Sequence, residues 1–149
     1  MAEVFYEACL LPALTKGQPD TVLSSLSKAK DEGSARIWID PKSASFLRLD
    51  EGRCSLSTYA PNALSYPDAE ELLVYTTTLV ATNFPQLPYD PGAQIGEEAL
   101  SKGWLMGALG SPERWGIAHF AYPEWGEGAG SILLFFAPAH PDQLFAPRE

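Results

Sequence analysis

Arg36-Ile37-Trp38-Ile39, the turn Asp40-Pro41-Lys42-Ser43, Phe46-Leu47-Arg48-Leu49, the turn Asp50-Glu51-Gly52 and the run Cys54 to Tyr59 follow one another without a break, and together they decide the fold class. Each run is short, rich in β-forming residues and bounded by turn chemistry. Residues 35–59 are therefore predicted to form a three-stranded antiparallel meander. Ile37/Ile39 and Leu47/Leu49 alternate with Arg36 and Arg48. Alternation with period two places one face on a core and leaves the other at least partly wet.

On the C-terminal side, Pro67-Asp68-Ala69-Glu70-Glu71 has the chemistry of a helix start, with acids at the positive helix end. Leu72, Leu73, Thr76, Leu79 and Val80 then recur at helical spacing, although Thr76 to Thr78 lose rotamer freedom in a helix. Phe84 to Pro91, with three prolines, reads as a loop. Glu97 to Met106 suggests a short helix ended by Gly107 or Gly110, and a C-terminal hairpin at about 116–137 pairs Ile117–Tyr122 with Ile132–Phe136. The tail from Pro138 is expected to be an extended arm.

On the N-terminal side, Val4, Ala8 and Leu11 make a helical stripe with Glu3 and Glu7 opposite, stopping at Pro12. A second helix is expected from Pro19 and Asp20 through Val22, Leu26 and Ala29 to a cap at Gly33, with Lys28 and Lys30 outward. The whole reads as one α+β domain over residues 1–149, an antiparallel sheet packed with two to four helices. No internal repeat or linker divides it.

Composition agrees. A chain of 149 residues fits one domain and buries roughly 68–70% of its unfolded surface. Ten of the thirteen prolines lie after residue 60 and chop that half into short elements, against a helical bundle or a regular βαβ array. The longest apolar run, Ile132 to Ala137, has six residues, far from the roughly 18 a membrane span needs. Met1-Ala2-Glu3-Val4 carries an acid and no basic n-region, so no secretory signal is expected and a cytoplasmic location is the default. Cys9 and Cys54 have the separation to bridge, but two cysteines in a chain without an export signal are expected to be reduced and buried.

Charge is the strongest functional clue. Residues 1–53 hold eight acids and seven bases, whereas residues 54–149 hold eleven acids and only Lys102, Arg114 and Arg148. A one-sided field of this kind repels nucleic acid and anionic membrane and steers basic partners. Chemical motifs are absent by comparison. Gly126-x-Gly128-x-Gly130 leads into a strand and encloses Glu127, unlike a phosphate-cradling loop, which opens a helix. Gly103 to Gly107 contains GxxxG in a segment too short for a membrane seam. No HxH, HExxH, Cys/His cluster or EF-hand spacing points to a metal. The carboxylate pairs Glu70/Glu71, Glu97/Glu98 and Glu124/Glu127 read as a solvated face. Of the two histidines, His119 lies in an apolar strand and His140 in the tail. No catalytic residue, cofactor or metal is assigned.

Three functions follow as expectations. The first is a small acidic binding protein that neutralises or occludes a basic protein partner. In physical character it resembles bacterial immunity proteins and inhibitors that neutralise toxins such as nucleases. Its contacts would be Glu97, Glu98, Glu124 and Glu127, with Trp125 as an exposed aromatic anchor. The second is an enzyme or ligand-binding domain with a pocket near His119, drawing on Cys54 and a carboxylate. The third is a secretion chaperone, which would be a homodimer, whereas the inhibitor would suffice as a monomer.

Overall fold

The computed structural model describes residues 1–93, 100–108, 110–123 and 129–145. Its centre is an antiparallel sheet of β1 (Ser27–Lys28), β2 (Arg36–Asp40), β3 (Ser45–Asp50), β4 (Arg53–Tyr59), β5 (Leu100–Met106), β6 (Trp115–Tyr122) and β7 (Gly130–Phe136), in the order β1-β2-β3-β4-β7-β6-β5. The expected meander and the expected hairpin are both present. They belong to a larger pattern: two three-stranded meanders, β2–β3–β4 and β5–β6–β7, joined through their last strands. β4 and β7 pair from Arg53↔Phe136 to Tyr59↔Gly130.

A helical segment precedes each meander. The first comprises α1 (Ala2–Phe5), a π-helical turn (Tyr6–Leu10) and α2 (Leu11–Thr15). Pro12 does not end it, because the wide turn delivers the proline to the start of α2, where its missing N–H leaves no gap. After the one-turn α3 (Asp20–Leu23) and the first meander comes α4 (Tyr66–Asn83), capped by Ser65. The threonines predicted to weaken α4 are accommodated by donating to carbonyls four residues back: Thr76 to Leu72, Thr77 to Leu73 and Thr78 to Val74.

All these helices lie on one face of the sheet. A Cys9–Cys54 disulfide ties the π turn to β4, and the Phe84 ring after α4 packs on Trp115 and Phe135. The helix-covered face of the strands carries Trp38, Leu47, Leu56, Leu133 and Ile117, all buried.

Five expectations need correction. Ile37 and Ile39 do not share the core face with Leu47 and Leu49; their register partners are Arg48 and Phe46, on the opposite face. Trp38 takes the core, since its ring buries more apolar area than either isoleucine, and Asp40 turns inward to accept from Lys42 N and Ser43 Oγ. The helix expected to reach Gly33 stops at Leu23. Ser24 and Ser25 bond back to the carbonyls of Thr21 and Val22, and the chain then pairs with β2 through Ser27↔Ile39. The helix expected to end at Gly107 is instead β5 from Leu100 on, in seven-rung register with β6. The tail is docked: Pro141–Phe145 forms a 3-10 turn, Leu144 is buried, and Gln86 Nε2 donates to Leu144 O at 2.5 Å. Cys9 and Cys54, finally, are bonded rather than reduced.

Candidate functional site

The helical layer builds a concave surface lined by acids. The N-terminal helical segment turns Phe5, Ala8 and Leu10 into the core, and this leaves Glu3 and Glu7 outside. α4 buries Ala69, Leu72, Thr76, Leu79 and Val80 and exposes Asp68, Glu70, Glu71, Val74 and Tyr75. The turn between β2 and β3 comes up beside them. A cleft of about 580 Å³ is lined by Glu3, Glu7, Val22, Asp40, Lys42 and Tyr75. It runs on into one of about 300 Å³ lined by Leu64, Asp68, Glu71, Leu72 and Tyr75. Met1, Ala2, Ser43 and Tyr75 belong to both. Glu3, Glu7, Asp68 and Glu71 form no ion pair among the described residues, and Lys42 is the basic side chain on the lining.

Five of the bases are engaged elsewhere. Lys28 pairs with Asp31, Arg48 with Glu32 and Asp50, and Arg114 with Asp90. Lys102 lies over the rings of Tyr89 and Trp104, and Arg53 over Phe136. Arg114 donates to Asp90 Oδ2 at 2.5 Å and to Gly107 O at 2.8 Å, and its guanidinium holds the Asp90 carboxyl below the usual carboxylate range. A further pocket, of about 370 Å³, contains Arg53, Arg114, Ser111 and Phe136. With Arg114 neutralised by Asp90 and Glu51 on the wall, it offers little net field to an anion.

No family model matches this chain, and no curated protein or solved structure matches it either. Function must be argued from the residues alone.

His119 faces inward from β6, opposite Leu133 of β7 and Lys102 of β5. Its side chain is 0% exposed, and neither ring nitrogen has a hydrogen-bond partner among the described residues. Thr58 Oγ1 and Ser131 Oγ, two rungs along on β4 and β7, are buried in the same condition. Burial drives the His119 pKa down to about 4, so the ring is neutral near pH 7. A sealed ring has no path to a substrate, and Cys54, named as its companion, is consumed by the disulfide. Among the described residues no cluster of three or more His, Cys, Asp or Glu side chains could hold a metal ion, and no helix is long and apolar enough to cross a membrane.

The sequence-predicted contacts Glu97, Glu98, Glu124, Trp125 and Glu127 lie outside the described residues. Trp104 and Trp115 are core, as expected. Sequence reasoning missed Glu3, Glu7 and Tyr75. The two acids sit in the charge-balanced third of the chain, where a tally along the sequence hides them. The signal that could have found them was the Glu3/Glu7 spacing, which puts both on the outer side of one helix.

Proposed function

We propose that this chain is a binding protein that takes up a basic protein partner on its helical face, in the manner of an inhibitor or immunity protein. The observation that carries this is the pair of adjoining clefts whose walls combine unpaired Glu3, Glu7, Asp68 and Glu71 with apolar Leu64, Leu72 and Tyr75. Carboxylates without internal partners steer a cationic surface, and the cost of desolvating them is offset by pairing across the interface. The apolar floor then slows release, with Tyr75 as the aromatic anchor. The Cys9–Cys54 bridge favours action in an oxidising compartment over the cytoplasmic location expected from the sequence.

The test uses the full chain and its variant Glu3→Gln/Glu7→Gln/Asp68→Asn/Glu71→Gln. An immobilised synthetic peptide of alternating lysine, arginine and leucine serves as the probe. Association of the parent should fall steeply from 50 to 300 mM salt; the variant should associate on the order of tenfold more slowly at low salt and lose that dependence. Equal rates for the two proteins would remove the helical face from the reading.

A further inference from the structure

We infer that the open face of the sheet is a homodimer interface, on which two copies of this chain pack sheet against sheet. A sheet covered by helices on one face normally alternates apolar and polar residues along its strands. β7 does not: Ile132-Leu133-Leu134-Phe135-Phe136 is apolar without interruption, which is the pattern of a strand buried on both faces. Leu133 and Phe135 meet the helical layer and are buried, whereas Leu134 and Phe136 point to the opposite side, where none of the helices among the described residues lies. There they join Ile37, Phe46, Tyr59 and Phe120. Phe46 and Tyr59 are 39% and 57% exposed, with ring centroids 6.1 Å apart.

Charge and shape favour a second copy over an unrelated protein. Between these aromatics lie the small, already buried Ser55, Ser57, Gly116 and Ala118, so among the described residues the centre of the face carries no charge. Among the described residues its charged side chains, Arg48, Asp50 and Arg53, gather at one end, where Arg48 already pairs with Glu32 and Asp50. Interfaces depleted of charge at the centre are characteristic of permanent homodimers, and an isologous contact needs only one self-complementary surface. A flat apolar sheet meets that need by stacking aligned on its copy, about 10 Å away. Six strands roughly 4.8 Å apart and about 20 Å long give close to 600 Å² per copy. Two faces then bury roughly 1,200 Å², the lower bound for a stable interface. This inference does not depend on what the helical face binds.

The experiment is the solution mass of the full chain by light scattering from 1 to 100 µM. The expected value is twice the 16.2 kDa of the single chain. Phe46→Lys/Tyr59→Lys should halve it, while Val74→Lys/Tyr75→Lys on the helical face should leave it doubled. Near-UV circular dichroism from the buried Trp115 checks that each variant is folded; if the lysine pair is not, Phe46→Ser/Tyr59→Ser takes its place. A single-chain mass across the whole range would overturn the inference, and would hand the open face to a different protein. So would a dimer that survives the open-face variant but is split by the helical-face one.

Discussion

The two meanders share a topology and are secured by different means. β2–β3–β4 is fastened covalently, through the bond from Cys54 to Cys9 in the helical layer. β5–β6–β7 has no such bond. It is held by packing: α4 lies over β5 and β6, the Phe84 ring sits on Trp115 and Phe135, and the Asp90–Arg114 pair clamps the chain before β5 to the turn after it. The difference is visible in the glycines. Gly52, in the turn between β3 and β4, has a positive φ of 69° and open space where a Cβ would go. Gly116, in β6, combines a φ of 144° with a backbone so close that a Cβ would lie 2.0 Å from Trp104 O. Gly110, in the turn between β5 and β6, is as open as Gly52, so the close approach at Gly116 belongs to the β5–β6 strand pairing and not to the turns of the second half.

The largest expected effect tests that contrast directly. Gly116→Val forces a side chain into the β5 backbone and should lower unfolding stability by more than about 4 kcal/mol, or abolish folding. Gly52→Ala meets only the cost of a left-handed turn, about 1 kcal/mol. Urea denaturation of the two variants would erase the contrast if their midpoints moved together.

Next comes the covalent tie. Cys9→Ser/Cys54→Ser opens a loop of 45 residues, and the chain-entropy argument puts the loss at about 4 kcal/mol. Hydrogen exchange should show the loss first in the N-terminal helices and β4, with β5 and β6 following later. Uniform loss would mean that the halves unfold as one unit.

The third effect is smaller and confined to acid. His119 binds its proton at about 4 when folded, against 6.5 when exposed. Between these values the unfolded chain holds more protons, so stability falls as pH drops from about 6.5 and levels off below about 4. The total loss is roughly 3 kcal/mol. His119→Leu should remove that part of the pH dependence and leave stability at pH 7 little changed. A parent protein equally stable at pH 7 and pH 4.5 would show that the ring reaches solvent or finds a partner.

Legibility followed the same division. The first meander was readable because its turns, Asp40-Pro41 and Glu51-Gly52, are marked by residues with specific backbone demands. β5 was not. Leu100 to Met106 mixes Ser, Lys and Gly with Trp and Met, and only its seven-rung register against β6 makes a strand of it. The facing of Ile37 and Trp38 was likewise settled by pairing, because a single-residue shift exchanges the two faces of a strand. At the candidate site, the sum of the charge was legible and its placement was not. Glu3 and Glu7 meet Asp68 and Glu71 only because the helices before the two meanders lie side by side.

By itself, then, the sequence determined a single α+β domain, a meander over residues 35–59, a C-terminal hairpin and a net charge of −9. These are local or additive properties: turn chemistry, periodicity and a count of ionisable groups. Pairing and packing across the chain join the two meanders through β4 and β7, bring Cys9 to Cys54, and put every helix among the described residues on one face of the sheet. Each of these depends on contacts between residues far apart in the chain, and no local propensity encodes such a contact.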